Sequence, residues 1–149
     1  MGVRKIWKMY IKSEIYMRIL DSQNTSPPET GGILGGEDGI ITAEYFDRGI
    51  QNERMCSYIP NIKRLNKVIK QWQMENINFM GIYHTHFWSV ETLSEADKRY
   101  ISRILENMPP ELKKLYFPIV VMPDKKIICY STEQIQGKLV ITREKLIVS

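Results

Sequence analysis

A glycine-studded apolar run followed by an Asp-Gly pair constrains this chain most. Residues 30–36 read Thr-Gly-Gly-Ile-Leu-Gly-Gly, Asp38-Gly39 comes next, and Ile40–Asp47 follows. Two apolar runs joined by Asp-Gly are a hairpin signal, because both central residues of the tightest hairpin turn need positive φ. The glycines allow close approach of neighbouring backbone. The run has neither the GK[ST] ending of a phosphate-binding loop nor the spacing of a dinucleotide-binding turn.

The rest of the chain alternates strand and helix patterns. Residues 4–10 read as a short first strand. Glu14 to Ser22 reads as a helix with Ile15, Ile19 and Leu20 on one stripe, broken by Thr25-Ser26-Pro27-Pro28. Residues 54–58 form another short strand. Asn61 to Met74 is amphipathic, with Ile62, Leu65, Val68, Ile69 and Trp72 on one face and Lys63, Lys67 and Lys70 off it. Phe79 to His86 suits a central strand. Ser94 to Asn107 is a second strong helix, with Ala96, Tyr100, Ile101, Ile104 and Leu105 inward, and Pro109-Pro110 stops it. Strands Tyr116–Met122 and Lys126–Ser131 flank Pro123-Asp124, and Gly137 opens a last strand, Lys138–Arg143. The alternation predicts an α/β sandwich on a mixed β-sheet. With 149 residues, no repeat and no linker, it predicts a single domain over 1–149 that needs no disulfide staple.

Composition excludes several classes. The net charge is +4, but no basic run exceeds two residues and aromatics do not interleave with the basic groups. That is a solvated surface, so no nucleic-acid partner is expected. No apolar run approaches the roughly 18–20 residues of a membrane span. Lys8, Lys12 and Glu14 interrupt the N-terminal segment, which therefore lacks a signal-peptide core. The expectation is a cytoplasmic protein without a membrane partner. Cys56 and Cys129 form no CxxC and read as free buried thiols.

Chemistry concentrates at the chain's two histidines, His84 and His86. Residues i and i+2 of a strand point the same way, so both imidazoles face one side and can converge on a metal. The plainer reading is a pair of polar strand residues. The next helix shifts the balance. Asp97 precedes Tyr100 by three residues and Ile101 by four, and so shares the apolar stripe. An inward carboxylate is costly unless paired or metal-bound. Ser94-x-x-Asp97 is also an ordinary capping box, which accounts for Ser94 but not for an acid on the apolar side. Two histidines and a carboxylate make an open zinc set, one ion with water in the fourth position. Glu29, after two prolines, is a candidate carboxylate base; taken alone it is a surface acid.

His84-Thr85-His86, a seven-residue spacer, then Ser94-x-x-Asp97 resembles the signature of the JAMM (MPN-plus) metalloprotease family. Pro28-Glu29-Thr30-Gly31-Gly32-Ile33-Leu34-Gly35-Gly36 is similar to that family's glutamate strand, and Gly81-Ile82-Tyr83 before the histidines also fits. The resemblance covers residues ~5–131 and is to a compact prokaryotic type. Phe87 and Trp88 follow the second histidine where the family commonly has proline. The resemblance implies a three-layer sandwich, cytidine-deaminase-like, with the mixed sheet flanked by helices. It implies that His84, His86 and Asp97 bind Zn2+, that Glu29 serves as general base and that Ser94 stabilises the oxyanion. It implies a zinc-dependent isopeptidase acting on a ubiquitin-like protein or its conjugate. Two alternatives stand beside this: a protease maturing a ubiquitin-like or sulfur-carrier precursor, and a non-catalytic MPN scaffold. A nucleobase deaminase is excluded, since H-x-E and PCxxC are missing. The substrate tail is expected to lie extended along an exposed strand, the glycine-rich one beside Glu29.

Overall fold

A computed structural model describes residues 8–50, 58–108 and 114–149. The expected strand at 54–58 (but for Tyr58), the start of the first strand, the Pro109-Pro110 stop and Cys56 lie outside the described residues. Eleven elements follow one another: β1 (Lys8–Ile11), α1 (Ser13–Ser22), β2 (Gly31–Glu37), β3 (Ile40–Asp47), α2 (Ile62–Met74), β4 (Asn78–His86), α3 (Glu95–Asn107), β5 (Lys114–Tyr116), β6 (Ile119–Val121), β7 (Lys126–Ile135) and β8 (Lys138–Val148).

The glycine-rich hairpin forms as its sequence dictates. Asp38 and Gly39 take φ of 53° and 76°, as a turn matched to strand twist requires. Gln136 and Gly137 repeat this at 52° and 75° and join β7 to β8. That second hairpin runs beyond the expected strand ends on both sides. The expected strand Tyr116–Met122 is instead broken into β5 and β6 at Phe117-Pro118, because Pro118 has no N–H to give a ladder.

The sheet corrects the sandwich expectation. Its order is β2-β3-β1-β8-β7-β5-β4-β6, and β2 also pairs with β4. β5 and β6 lie in line between β4 and β7. The sheet therefore closes on itself as a seven-position barrel with three helices, mostly strand, and not as a helix-flanked three-layer sandwich of the cytidine-deaminase kind. The closure depends on β1 running parallel to both β3 and β8, which ties the two ends of the chain together. Such pairings leave no trace in local periodicity. Closure also leaves β2 hydrogen-bonded on both sides, to β3 and to β4. The glycine-rich strand thus has no open edge for a substrate tail.

Two core clusters place the site. Alternate residues of β4 face opposite ways: Tyr83 joins Met9, Ile11, Leu34 and Ile41 with Ile15 and Ile19 of α1, while Ile82 joins Ile33, Leu65, Trp72 and Ile101 beneath α2 and α3. His84 and His86 share the face of Ile82. On α2, Leu65 and Trp72 are buried but Ile62 is exposed; on α3, Ile101 alone is fully buried and Ala96 is exposed. The helices touch the barrel along a narrower stripe than the sequence suggests. Among the described residues no helix is long and apolar enough to cross a membrane. Cys129 is a free, buried thiol.

Candidate metal centre

β4 ends at His86, and the following loop returns the chain so that α3 starts beside it. His84 and His86 are buried, and their Nε2 atoms lie 2.9 Å apart. Asp97, in the first turn of α3, reaches both: Oδ1 is 3.1 Å from His84 Nε2, and Oδ2 is 3.1 Å from His86 Nε2. Among the described residues these three side chains form a cluster able to hold a metal ion, with ligand atoms within 4.8 Å of one another. The expected strand–helix convergence is present.

The donor set fits a divalent ion. A tetrahedral ion with bonds of roughly 2.0–2.2 Å sets its donors about 3.3–3.6 Å apart, and the contacts here, 2.9 Å between the imidazoles and 3.1 Å from each imidazole to its own Asp97 oxygen, lie within a few tenths of an ångström of that spacing. Without an ion, neither tautomer satisfies the cluster fully. His84 Nδ1 and His86 Nδ1 are buried and have no hydrogen-bond partner. If Nε2 carries the protons, both Nδ1 lone pairs are stranded; if Nδ1 carries them, three acceptors crowd together at the centre. A cation at the centre relieves that crowding and leaves the two Nδ1–H groups without an acceptor among the described residues. The His84 ring is braced instead by Phe117, at 5.2 Å between centroids.

Asp97 has a second task. Its Oδ2 accepts from Ser94 N at 2.9 Å, while Ser94 Oγ accepts from Asp97 N at 3.0 Å. This is a complete capping box at the start of α3. The capping box is present, and the same carboxylate stays close enough to both histidines to share a metal with them. Burial alone would raise the Asp97 carboxyl, but hydrogen bonds from His84, His86 and Ser94 outweigh it and hold the group well below the usual carboxylate range.

Glu29 lies just ahead of β2. The antiparallel register pairs Gly31 with His84, and Thr85 N donates to Thr30 O at 2.9 Å. Continued one step further, that register sets Glu29 alongside His86. Burial raises its carboxyl above the ordinary value; His84 and His86 pull it down, and Asp97 pushes it up again. The candidate base therefore senses all three members of the triad electrostatically. Ser94, the candidate oxyanion donor, is exposed at the rim.

Sequence reasoning missed what positions Glu29. Thr30 N donates to Thr85 Oγ1 at 2.9 Å, and Thr30 Oγ1 donates to Gln23 Oε1 at 2.9 Å. This buried clamp pins the residue next to Glu29 to the residue between the two histidines. On the other side Tyr58 N donates to Glu29 Oε2 over a long 3.4 Å. Tyr58 OH is fixed at 2.7 Å by Asp47, a buried carboxylate that also accepts from Gly49 N and Asn61 N. Neutral polar residues of this kind carry no motif, so only the register reveals them.

No family model and no curated protein matches this sequence. Solved structures do match. The solution structure of protein DSY2949 from Desulfitobacterium hafniense is similar with a TM-score of 0.66 at 20% identity, over 95% of this chain and 93% of that one. The crystal structure of AF2198, a JAB1/MPN domain protein from Archaeoglobus fulgidus, is similar with a TM-score of 0.53 at 17% identity, over 94% of this chain and 98% of that one. At such identities the likeness is one of fold, and the fold is MPN-like. On that fold, this chain brings His84, His86 and Asp97 close enough to bind a metal.

Proposed function

We propose that this chain is a zinc-dependent metallopeptidase that hydrolyses an isopeptide or peptide bond at the C-terminus of a ubiquitin-like protein. The observation that carries the reading is the convergence of His84, His86 and Asp97 with Glu29 alongside, on an MPN-like fold. When bound, zinc supplies Lewis acidity and activates water at neutral pH. Glu29 takes the proton of the attacking water and returns it to the leaving amine. Ser94 Oγ accepts from Asp97 N, which leaves its hydroxyl hydrogen to donate to the carbonyl oxygen as charge develops there. The Thr30–Thr85 clamp keeps Glu29 in register with the histidines.

Deconjugation and precursor processing use the same chemistry and differ only in what lies beyond the scissile bond. A panel of ubiquitin-like fusions, incubated with and without chelator, tests the reading. Cleavage that stops with chelator and returns with zinc is the expected result; cleavage indifferent to chelator contradicts it. A non-catalytic MPN scaffold is the second reading. The completed capping box favours it, since it gives Ser94 and Asp97 a part in starting α3 that needs no substrate. It expects zinc binding with no cleavage of any fusion.

A further inference from the structure

Residues 87–94 join β4 to α3, and so join the two elements that carry the triad. Phe87 turns inward, 6% exposed, and packs in the core shared with α1. Trp88 turns outward and is 76% exposed. Its φ is 57° and that of Ser89 is 59°. Bulky side chains rarely enter this left-handed region, because it strains the backbone. The loop holds the conformation from several directions. Ser89 N donates to Met122 O at 3.0 Å, and Ser89 Oγ to Asp124 Oδ1 at 2.7 Å. Tyr130 OH donates to Glu91 O at 2.7 Å, and Lys126 pairs with Glu91 at 2.8 Å.

A strained backbone is thus held fixed, and its effect is to stand an indole in water two residues beyond His86. Its one ring contact among the described residues is edge-on to Phe87, 6.2 Å between centroids, and most of the indole is left facing water. A glycine would make the same turn without strain. Val90, 44% exposed, extends the apolar surface. The loop's acids are already matched, Glu91 by Lys126 and Asp124 by Ser89, so the surface does not call for a cation.

We propose that Trp88 is a specificity-determining residue: a fixed aromatic platform on which an apolar side chain flanking the scissile bond packs. This rests on the peptidase reading and adds to it a preference for apolar residues next to the cleaved bond.

Two measurements test it. Zinc-loaded Glu29→Gln protein is titrated with short synthetic peptides whose central residues are either Leu or Ser, following tryptophan emission. The Leu peptides shift emission to the blue, the Ser peptides do not, and Trp88→Phe removes the shift. With a fusion that the wild-type protein cleaves, Trp88→Ala loses about tenfold or more in kcat/KM, carried by KM, with kcat and zinc affinity kept. Trp88→Gly shows the same kinetic loss but a higher Tm, because glycine relieves the left-handed strain. An unchanged KM, an equal or absent response to the two peptides, or a lower Tm in Trp88→Gly overturns the role of Trp88. A wild-type protein that binds no zinc or cleaves no fusion overturns the peptidase reading instead, and peptide emission, recorded then on protein without added zinc, still decides whether Trp88 offers a platform to apolar side chains.

Discussion

At the scale of single residues, the site rests on carboxylates placed in opposite electrostatic settings. Asp97 is held well below the usual carboxylate range, and Glu29 above it. The linkage signs are therefore opposite. Asp97 binds its proton less tightly in the native state than in the unfolded chain, so its contribution is present above the ordinary carboxylate value and fades as pH falls below about 4. Glu29 binds its proton more tightly when folded, so its charged form works against folding at neutral pH. Glu29→Gln is expected to raise the Tm of metal-free protein at neutral pH and keep zinc affinity, while hydrolysis falls by about 10²–10⁴-fold or more. Asp97→Asn is expected to flatten the loss of stability on acidification and to lower zinc affinity by more than about a hundredfold, measured by chelator competition. The sequence showed these residues well. Two histidines at i and i+2 and an acid on an apolar stripe are local patterns. Thr30, Thr85, Gln23 and Tyr58 were illegible, since they act only through a register set by distant strands.

At the scale of elements, the start of α3 carries a capping box, and one substitution separates that role from the oxyanion role proposed for Ser94. Glycine at an N-cap costs only a few tenths of a kcal/mol, whereas alanine costs about 1 kcal/mol. Ser94→Gly is therefore expected to unfold close to wild type in urea but to lose about 10²–10³-fold in hydrolysis. Equal activity would show that Ser94 is a cap alone. The β2 strand makes a packing prediction. A methyl on Gly32 would meet the carbonyl of Tyr45 and the hydroxyl of Tyr83, both anchored. Gly32→Ala is expected to cost about 1–3 kcal/mol in denaturant unfolding. Hairpins were readable wherever a turn dipeptide announced them, as at Asp38-Gly39. The β7–β8 hairpin extends past its sequence expectation, because Gln136-Gly137 is a weaker turn signal and the added residues of both strands mix polar and apolar side chains without a strict alternation.

At the scale of the whole molecule, closure was the part the sequence concealed. A parallel β1–β8 pairing joins residues more than a hundred positions apart, and no window of alternation contains both. The same closure makes the site rigid: β4 is flanked by β2 on one side and by β5 and β6 on the other, so the histidines stand on a fully paired strand. A ligand that binds only this folded arrangement must stabilise it. Zinc at about a hundred times its dissociation constant is expected to add about 2.7 kcal/mol, reversed by chelator. The most direct measurement is anomalous X-ray scattering at the zinc edge from zinc-loaded crystals. A peak is expected about 2.0–2.2 Å from His84 Nε2, His86 Nε2 and a carboxylate oxygen of Asp97. Zinc bound only elsewhere, with those three side chains left in contact with one another alone, would contradict it.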